Sequence, residues 1–383
     1  PSGRCGMRIT VLGAGMVGRA IAIDLTRGHR VTSADISQQA LEELSDRHGI
    51  DTVKADLRDS DAVTSVISGA DMVVSAVPGF MGYRTLETVI EAGKNVVDIA
   101  FFPEDSAPLD KLARKKGVVA VTDMGVAPGM CNVILGRHNA SMEVHSYLCL
   151  VGGLPVERIW PWEYRAPFSP CDVIEEYVRP ARYRENGAEV VRPALSDPEL
   201  INFPECGTLE AWNSDGLRSL LRTMPGIPHM KEKTLRWPGH IEKARILRES
   251  GFFSREPVEV NGVMVSPLQV TEKVLFTERN WKLRAGEQEF TVMRVEVSGV
   301  EDGRGVKYLW SLYDEYCPAT KTSSMARTTG YACTAAVNAV AAGLYSTPGL
   351  SPAEFLGSNE ECFRFMLNYL AERKVLYRKE RLA

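Results

Sequence analysis

The chain has 383 residues, 44% of them hydrophobic and 25% charged, which excludes wholesale disorder, a collagen-like repeat and a disulfide miniprotein. That length predicts two domains of roughly 100–200 residues each. Lys and Arg number 45 against 49 Asp and Glu, a net charge of −4. No cationic excess is available to release counterions, so the chain is a poor candidate for nucleic-acid binding, no nucleic-acid partner is expected, and a small soluble ligand is the default.

The first 125 residues alternate short Val- and Ile-rich runs with amphipathic stretches. Runs at 7–12, 30–34, 51–54, 71–76, 95–99 and 118–122 read as strands. The segments 17–27, 37–47, 59–67, 82–92 and 109–115 have helical spacing, with Ser37 and Asp59 as start signals. This rhythm predicts an α/β fold, a six-stranded doubly wound parallel sheet of Rossmann type. Beyond residue 140, runs at 147–151, 188–192, 290–297 and 306–313 read as strands of a mixed or antiparallel sheet. Asn186-Gly187 and residues 301–305 read as hairpin connections. Helices are expected at 171–177, 207–224, 240–250 and 267–277, which makes the second domain α+β. An Ala-rich stretch at 328–344 predicts a buried helix capped by Thr328 or Thr329. The expected division is 7–140 for the dinucleotide domain, 141–326 for an α+β substrate and dimerisation domain, and 327–383 for helices returning to the first.

The eight cysteines (5, 131, 149, 171, 206, 317, 333, 362) form no CxxC pair and no Cys/His cluster. No metal site is expected, and the thiols read as buried small hydrophobes in a reducing cytoplasm. Cys131 reads as packing. No apolar run reaches the roughly 18–20 residues that span a bilayer, so no membrane partner is expected. Pro1 to Gly6 reads as an added leader ahead of a natural start at Met7.

Gly13-Ala14-Gly15-Met16-Val17-Gly18 follows the first strand and opens the first helix. Gly13 suits the tight turn, Gly15 lets backbone approach a pyrophosphate, and Gly18 lets helix and strand pack closely. The helix N-terminus, with Met16 and Val17, presents N–H groups to the anion. Asp35 ends the second strand, 22 residues after Gly13, where a carboxylate accepts from ribose hydroxyls and repels a 2′-phosphate. NAD is therefore the expected cofactor. Ser75-Ala76-Val77-Pro78 closes the fourth strand, where backbone can flank the nicotinamide ribose; a plain strand-ending turn reads the same way.

Three further segments are punctuated by glycine or proline and read as loops at element ends: residues 122–132, 234–240 and 324–330. GAGMVG, GVAPGM, TLRWPGH and SMARTTGY, in that order from Met7 onward, resemble the saccharopine dehydrogenase family in its reductase-like branch, on the side of the lysine 6-dehydrogenases. Ala127 stands where the fungal saccharopine-forming members carry an acid, which turns the expectation away from saccharopine itself. The resemblance implies hydride transfer from an amine-bearing carbon of lysine or a related amino acid to the nicotinamide. The amine must lose its proton first, so a base is required, and the substrate carboxylate calls for a cation. Asp123 and His240 are the candidate bases, against a capping Asp and a capping or solvent-exposed His. Arg236 and Arg327 are the candidate carboxylate clamps, against solvated loop arginines. Glu163 and Tyr164 are candidates for the substrate mouth, against an aromatic plug at a subunit interface. Trp160, Trp162 and Trp212 read as exposed aromatics through which a homodimer would pair. The alternatives are reductive condensation of the saccharopine or carboxynorspermidine type and a cofactor-binding sensor without chemistry. The basic tail at 373–381 reads as a solvated helix end.

Overall fold

The computed structural model describes residues 6–166 and 168–382, so most of the leader reading, and Cys5 with it, lies outside the described residues. The chain forms two compact units. The first takes the chain to Ser141 and again from Ala326 to Val375; the second holds Met142–Met325 and the stretch from Leu376.

In the first unit the order is β1 (Arg8–Leu12), α1 (Met16–Leu25), β2 (Arg30–Asp35), α2 (Gln38–His48), β3 (Asp51–Lys54), α3 (Ser60–Ile67), β4 (Met72–Ser75), α4 (Gly79–Glu91), β5 (Asn95–Asp98), α5 (Leu109–Lys116), β6 (Val119–Thr122) and α6 (Met130–Asn139). Ser37 caps α2 by accepting from Ala40 N, and Asp59 caps α3 by accepting from Asp61 N. The strands are uniform apolar runs because helices cover both faces of the sheet. Val63 and Ile67 of α3, Leu86 and Val89 of α4, and Leu109 of α5 close one core over Leu12, Val73 and Val96.

The second unit contains β7 (Glu143–Pro155), α7 (Pro170–Val178), β8 (Ala181–Glu185), β9 (Ala188–Arg192), β10 (Ser196–Phe203), β11 (Gly207–Asn213), α8 (Leu220–Thr223), β12 (His229–Arg236), α9 (His240–Glu249), β13 (Val258–Val260), β14 (Val263–Val265), α10 (Pro267–Leu275), β15 (Glu289–Glu301) and β16 (Arg304–Glu315). Asn186 and Gly187 turn between β8 and β9 with positive φ, as do Asp302 and Gly303 between β15 and β16, which suits tight hairpins. The helix expected at 207–224 is absent over most of its length. Residues 207–213 form β11 instead, paired antiparallel to β10 on one side and β12 on the other, and only Leu220–Thr223 is helical. Ladder pairing on both sides outweighs the helix-like spacing of Leu209, Trp212 and Leu217.

The last elements are α11 (Ser324–Ala341), β17 (Gly349–Pro352), α12 (Ala353–Ser358), α13 (Glu360–Glu372) and β18 (Tyr377–Arg381). Helix α11 begins at Ser324, so Thr328 and Thr329 lie inside it rather than capping it, and the SMARTTGY segment is buried helix rather than loop. Gly330 lets α11 approach α1 closely: an added Cβ there would stand 3.3 Å from Ile21 Cγ1 and 3.6 Å from Val17 O. Strand β17 adds a seventh, parallel strand beside β6, giving the order β17-β6-β5-β4-β1-β2-β3. The tail departs from the expected helix end. Arg373 forms an ion pair with buried Asp24 of α1, and β18 pairs with β16 in the second unit's mixed sheet, ordered β10-β11-β12-β7-β15-β16-β18. The only parallel pair in that path joins β12 to β7.

Candidate functional site

The glycine turn between β1 and α1 has the geometry its spacing requires. Gly13 has φ 106°, and an added Cβ would lie 2.4 Å from Ala76 O, the backbone just past β4. At Gly18 an added Cβ would lie 2.1 Å from Gly13 O. These two glycines are therefore fixed by packing. Gly15 differs: it is exposed, and an added Cβ meets nothing within 4 Å. The head of α1, with half-buried Met16 and Val17, faces open space there. Asp35 reaches this turn: Oδ2 accepts from Ala14 N at 2.7 Å and Oδ1 from Ser37 N at 2.8 Å. One carboxylate thus ties the glycine turn to the head of α2. Beyond it Ile36 is 55% exposed, and Lys54 is the register partner of Asp35 on β3. Arg19 is paired with Glu43, and Arg58 with Asp56.

The neighbouring strand ends carry polar side chains that the sequence reading missed. Ser75, Asp98 and Thr122 close β4, β5 and β6, and all three are buried; Ser75 is level with Asp98 in the ladder. Asp98 had a legible signal, a carboxylate inside an apolar run. Past Ser75, Val77 is buried, while Ala76 and Pro78 are half-buried, and Pro78 caps α4. Asp123 follows β6 directly, buried at 6% exposure with φ 56°, a conformation uncommon for a residue with a side chain. Arg327, on α11, is also buried. It donates to Arg373 O at 3.0 Å, so it is not the solvated loop arginine of the alternative reading.

The other candidates gather in the second unit, in an aromatic core of Tyr164, Tyr177, Trp212 and Trp281. His240 is the first residue of α9, but it is neither capping nor exposed: 1% of it is accessible. Its Nδ1 lies 2.9 Å from the Trp162 carbonyl, which can only accept, so Nδ1 carries the proton and Nε2 accepts from Tyr177 Oη at 2.9 Å. Burial, helped by the Arg236 charge, pushes its pKa from 6.5 down to about 3. With both nitrogens engaged inside an aromatic core, this ring has no position for a substrate amine.

Arg236 ends β12 and is buried against the Tyr164 ring, its guanidinium carbon 4.4 Å from the centroid. It donates to Glu176 Oε2 at 2.5 Å and to Tyr164 Oη at 3.3 Å. Burial raises the Glu176 carboxyl above its ordinary range, against the pull of Arg236. The clamp expected for a substrate carboxylate holds the chain's own carboxylate. Tyr164 is buried, which removes it from a substrate mouth. Glu163, at φ 51°, is paired with Arg158 at 2.6 Å. Of the three tryptophans read as exposed, Trp160 is 77% accessible, Trp162 packs edge-on against Trp281, and Trp212 is fully buried. Cys131 is buried and donates to Asn132 Oδ1 at 3.1 Å. No helix among the described residues is long and apolar enough to cross a membrane.

Comparison with known proteins matches residues 9–121 to the "Saccharopine dehydrogenase NADP binding domain" model and residues 125–376 to the "Saccharopine dehydrogenase C-terminal domain" model. The chain is 25% identical to the Alpha-aminoadipic semialdehyde synthase of Arabidopsis thaliana over 58% of its own length and 22% of that protein. It is 23% identical to the Saccharopine dehydrogenase [NADP(+), L-glutamate-forming] of Pyricularia oryzae over 70% of its own length and 62% of that protein. The chain therefore spans less than two thirds of each of these relatives. Among solved structures, the apo saccharopine dehydrogenase (L-Glu forming) of Saccharomyces cerevisiae shares the fold at TM-score 0.75 and 18% identity, over 99% of this chain and 100% of that one.

Proposed function

The chain belongs to the saccharopine dehydrogenase family, and on that premise we propose that it is an NAD-dependent oxidoreductase acting at an amine-bearing carbon of lysine or a related amino acid. The observation that carries the reading is the open glycine turn at Gly15 with Asp35 fastened beside it. Bound there, the dinucleotide would supply the hydride acceptor. Gly13, Gly15 and Gly18 make room for its pyrophosphate, the head of α1 donates to it, and Asp35 takes the ribose hydroxyls. The backbone of residues 75–78 would flank the nicotinamide ribose.

Asp123 is the proposed base. It stands just beyond the carboxyl end of a parallel strand, where open α/β sheets build their sites, and it is the remaining one of the two candidates once both His240 nitrogens are accounted for. It would take the proton from the substrate ammonium, leaving a neutral amine from whose carbon hydride can depart. Asp35 supports NAD over NADP because its charge opposes a 2′-phosphate. Lys54, the register partner of Asp35 on β3, is a cation that would favour the phosphate. The remaining expectations, a homodimer in the cytoplasm with an amino acid as its small-molecule partner, stand as part of this proposal.

NADH formation from L-lysine, measured by absorbance, is the direct test; absence of turnover with lysine, ornithine and diamines refutes it. Asp35→Ala should weaken NAD about tenfold, or about 1.4 kcal/mol, and narrow its advantage over NADP. The relatives named for NADP and glutamate formation favour a second reading, in which a reduced cofactor drives condensation. Oxidation of NADPH only when an aldehyde and an amino acid are both present would select it.

A further inference from the structure

Asp123 stands two residues before the turn of Gly125–Met130, whose bracing reaches Glu354, a residue outside the motifs read from the sequence. The turn closes on itself: Gly125 N donates to Pro128 O at 3.0 Å, and Met130 N to Gly125 O at 2.9 Å. At Gly129, with φ 141°, an added Cβ would lie 1.8 Å from Gly125 O, so only glycine fits the closure. Beside it stands Asn132, fully buried. Its Oδ1 accepts from Gly129 N at 3.3 Å and its Nδ2 donates to Glu354 Oε2 at 3.1 Å.

Glu354 is itself fully buried and arrives on the short helix α12. Two glycines make that approach possible. An added Cβ at Gly136 would lie 2.0 Å from Glu354 O, and one at Gly357 would lie 1.9 Å from Val133 O, so the backbones of α6 and α12 touch. Burying a carboxylate costs several kcal/mol, of the order found for buried ions generally, unless it is bonded. A carboxylate only accepts, so Asn132 must turn its amide nitrogen to Glu354 and its oxygen to Gly129.

We propose that Asn132 and Glu354 are positioning residues for Asp123. Glu354 fixes the Asn132 amide, Asn132 holds the Gly129 N–H beside the two bonds that close the turn, and the braced turn fixes the backbone that leads on from Asp123. The inference rests on the reading of Asp123 as the base. Asn132→Asp sets a second carboxylate against Glu354 and should lower kcat on the order of a hundredfold, the usual cost of misplacing a group by about 1 Å, with cofactor affinity unchanged. Adding Glu354→Gln supplies a donor to the new Asp and should restore kcat. Backbone hydrogen exchange at Gly129 and Met130 should speed up in the single variant and slow again in the double. In an Asp123→Asn background, Asn132→Asp should cost no further kcat, whereas a merely structural role would leave the two losses additive. Additive losses, or no restoration by Glu354→Gln, overturn the positioning role. Unchanged turnover in Asp123→Asn alone overturns the base assignment instead. If Asn132→Asp does not fold, Glu354→Ala assayed for kcat and exchange carries the same test.

Discussion

The glycine turn after β1 leaves Gly15 facing open space, whereas in the Arg236–His240 cluster both histidine nitrogens and the end of the arginine fork are bonded to other groups of the chain. At Gly15 an added side chain would meet nothing within 4 Å; at His240 both ring nitrogens are occupied, and Arg236 already grips Glu176. Both regions carry residue types that catalytic sites use. The difference lies in access: Gly15 is exposed with free space beside it in the first unit, while His240 and Arg236 are buried in the second. A residue's chemistry is thus a weaker guide to its role than the presence of an unfilled partner position beside it.

The largest expected effect falls on the closed cluster. Arg236→Met strands Glu176 among aromatics and should cost on the order of 3 kcal/mol in denaturant unfolding. Unchanged stability with a selective loss of amino-acid binding would break the comparison, because Arg236 would then be a ligand group. Next comes the open turn. Gly18→Ala drives a Cβ into Gly13 O and should cost about 1–3 kcal/mol of stability. Gly15→Val has room in the bare chain, so its melting temperature should hold while calorimetry shows cofactor affinity falling tenfold or more, about 1.4 kcal/mol. Equal loss of stability in both variants would erase the distinction between packing glycine and binding glycine.

The smallest effect at neutral pH concerns His240. Its folded pKa of about 3 lies below the ordinary 6.5, so the unfolded chain takes up the proton first as acid is added. Its contribution to stability is complete above pH 6.5 and declines as pH falls toward 3, at up to about 1.4 kcal/mol per pH unit. His240→Phe should flatten that limb of the melting curve. A variant that keeps the full acid slope would show that the ring titrates normally and is reachable.

The first six strands and five helices were legible because their signals are local. Apolar runs buried on both faces, Ser37 and Asp59 as caps, and glycines at fixed spacing each speak within a dozen residues. Strand β11 was not, because its pairing with β10 and β12 is set by distant chain, and Leu209, Trp212 and Leu217 taken alone keep a helical spacing. Strand β17 hid behind Gly349 and Pro352, residues that normally stop a strand and are tolerated at a sheet edge. At the candidate site, the glycine turn could be read outright from its spacing. The burial of Arg236 and His240 could not, since TLRWPGH gives no hint that Glu176 and Tyr177 of α7, some 60 residues earlier, are waiting for them. Asn132 lay within the 122–132 segment, but its pairing with Glu354, 222 positions away, was silent.

The last strand has a use that outlives any assignment of activity. Tyr377–Arg381 reads YRKER and forms the outer margin of the nine-stranded sheet, masking the backbone of β16 with a charged, mainly basic border. A shortened chain ending before Tyr377 would bare the apolar neighbour and offer it as a template to other molecules, so loss of these few residues should show first as precipitation.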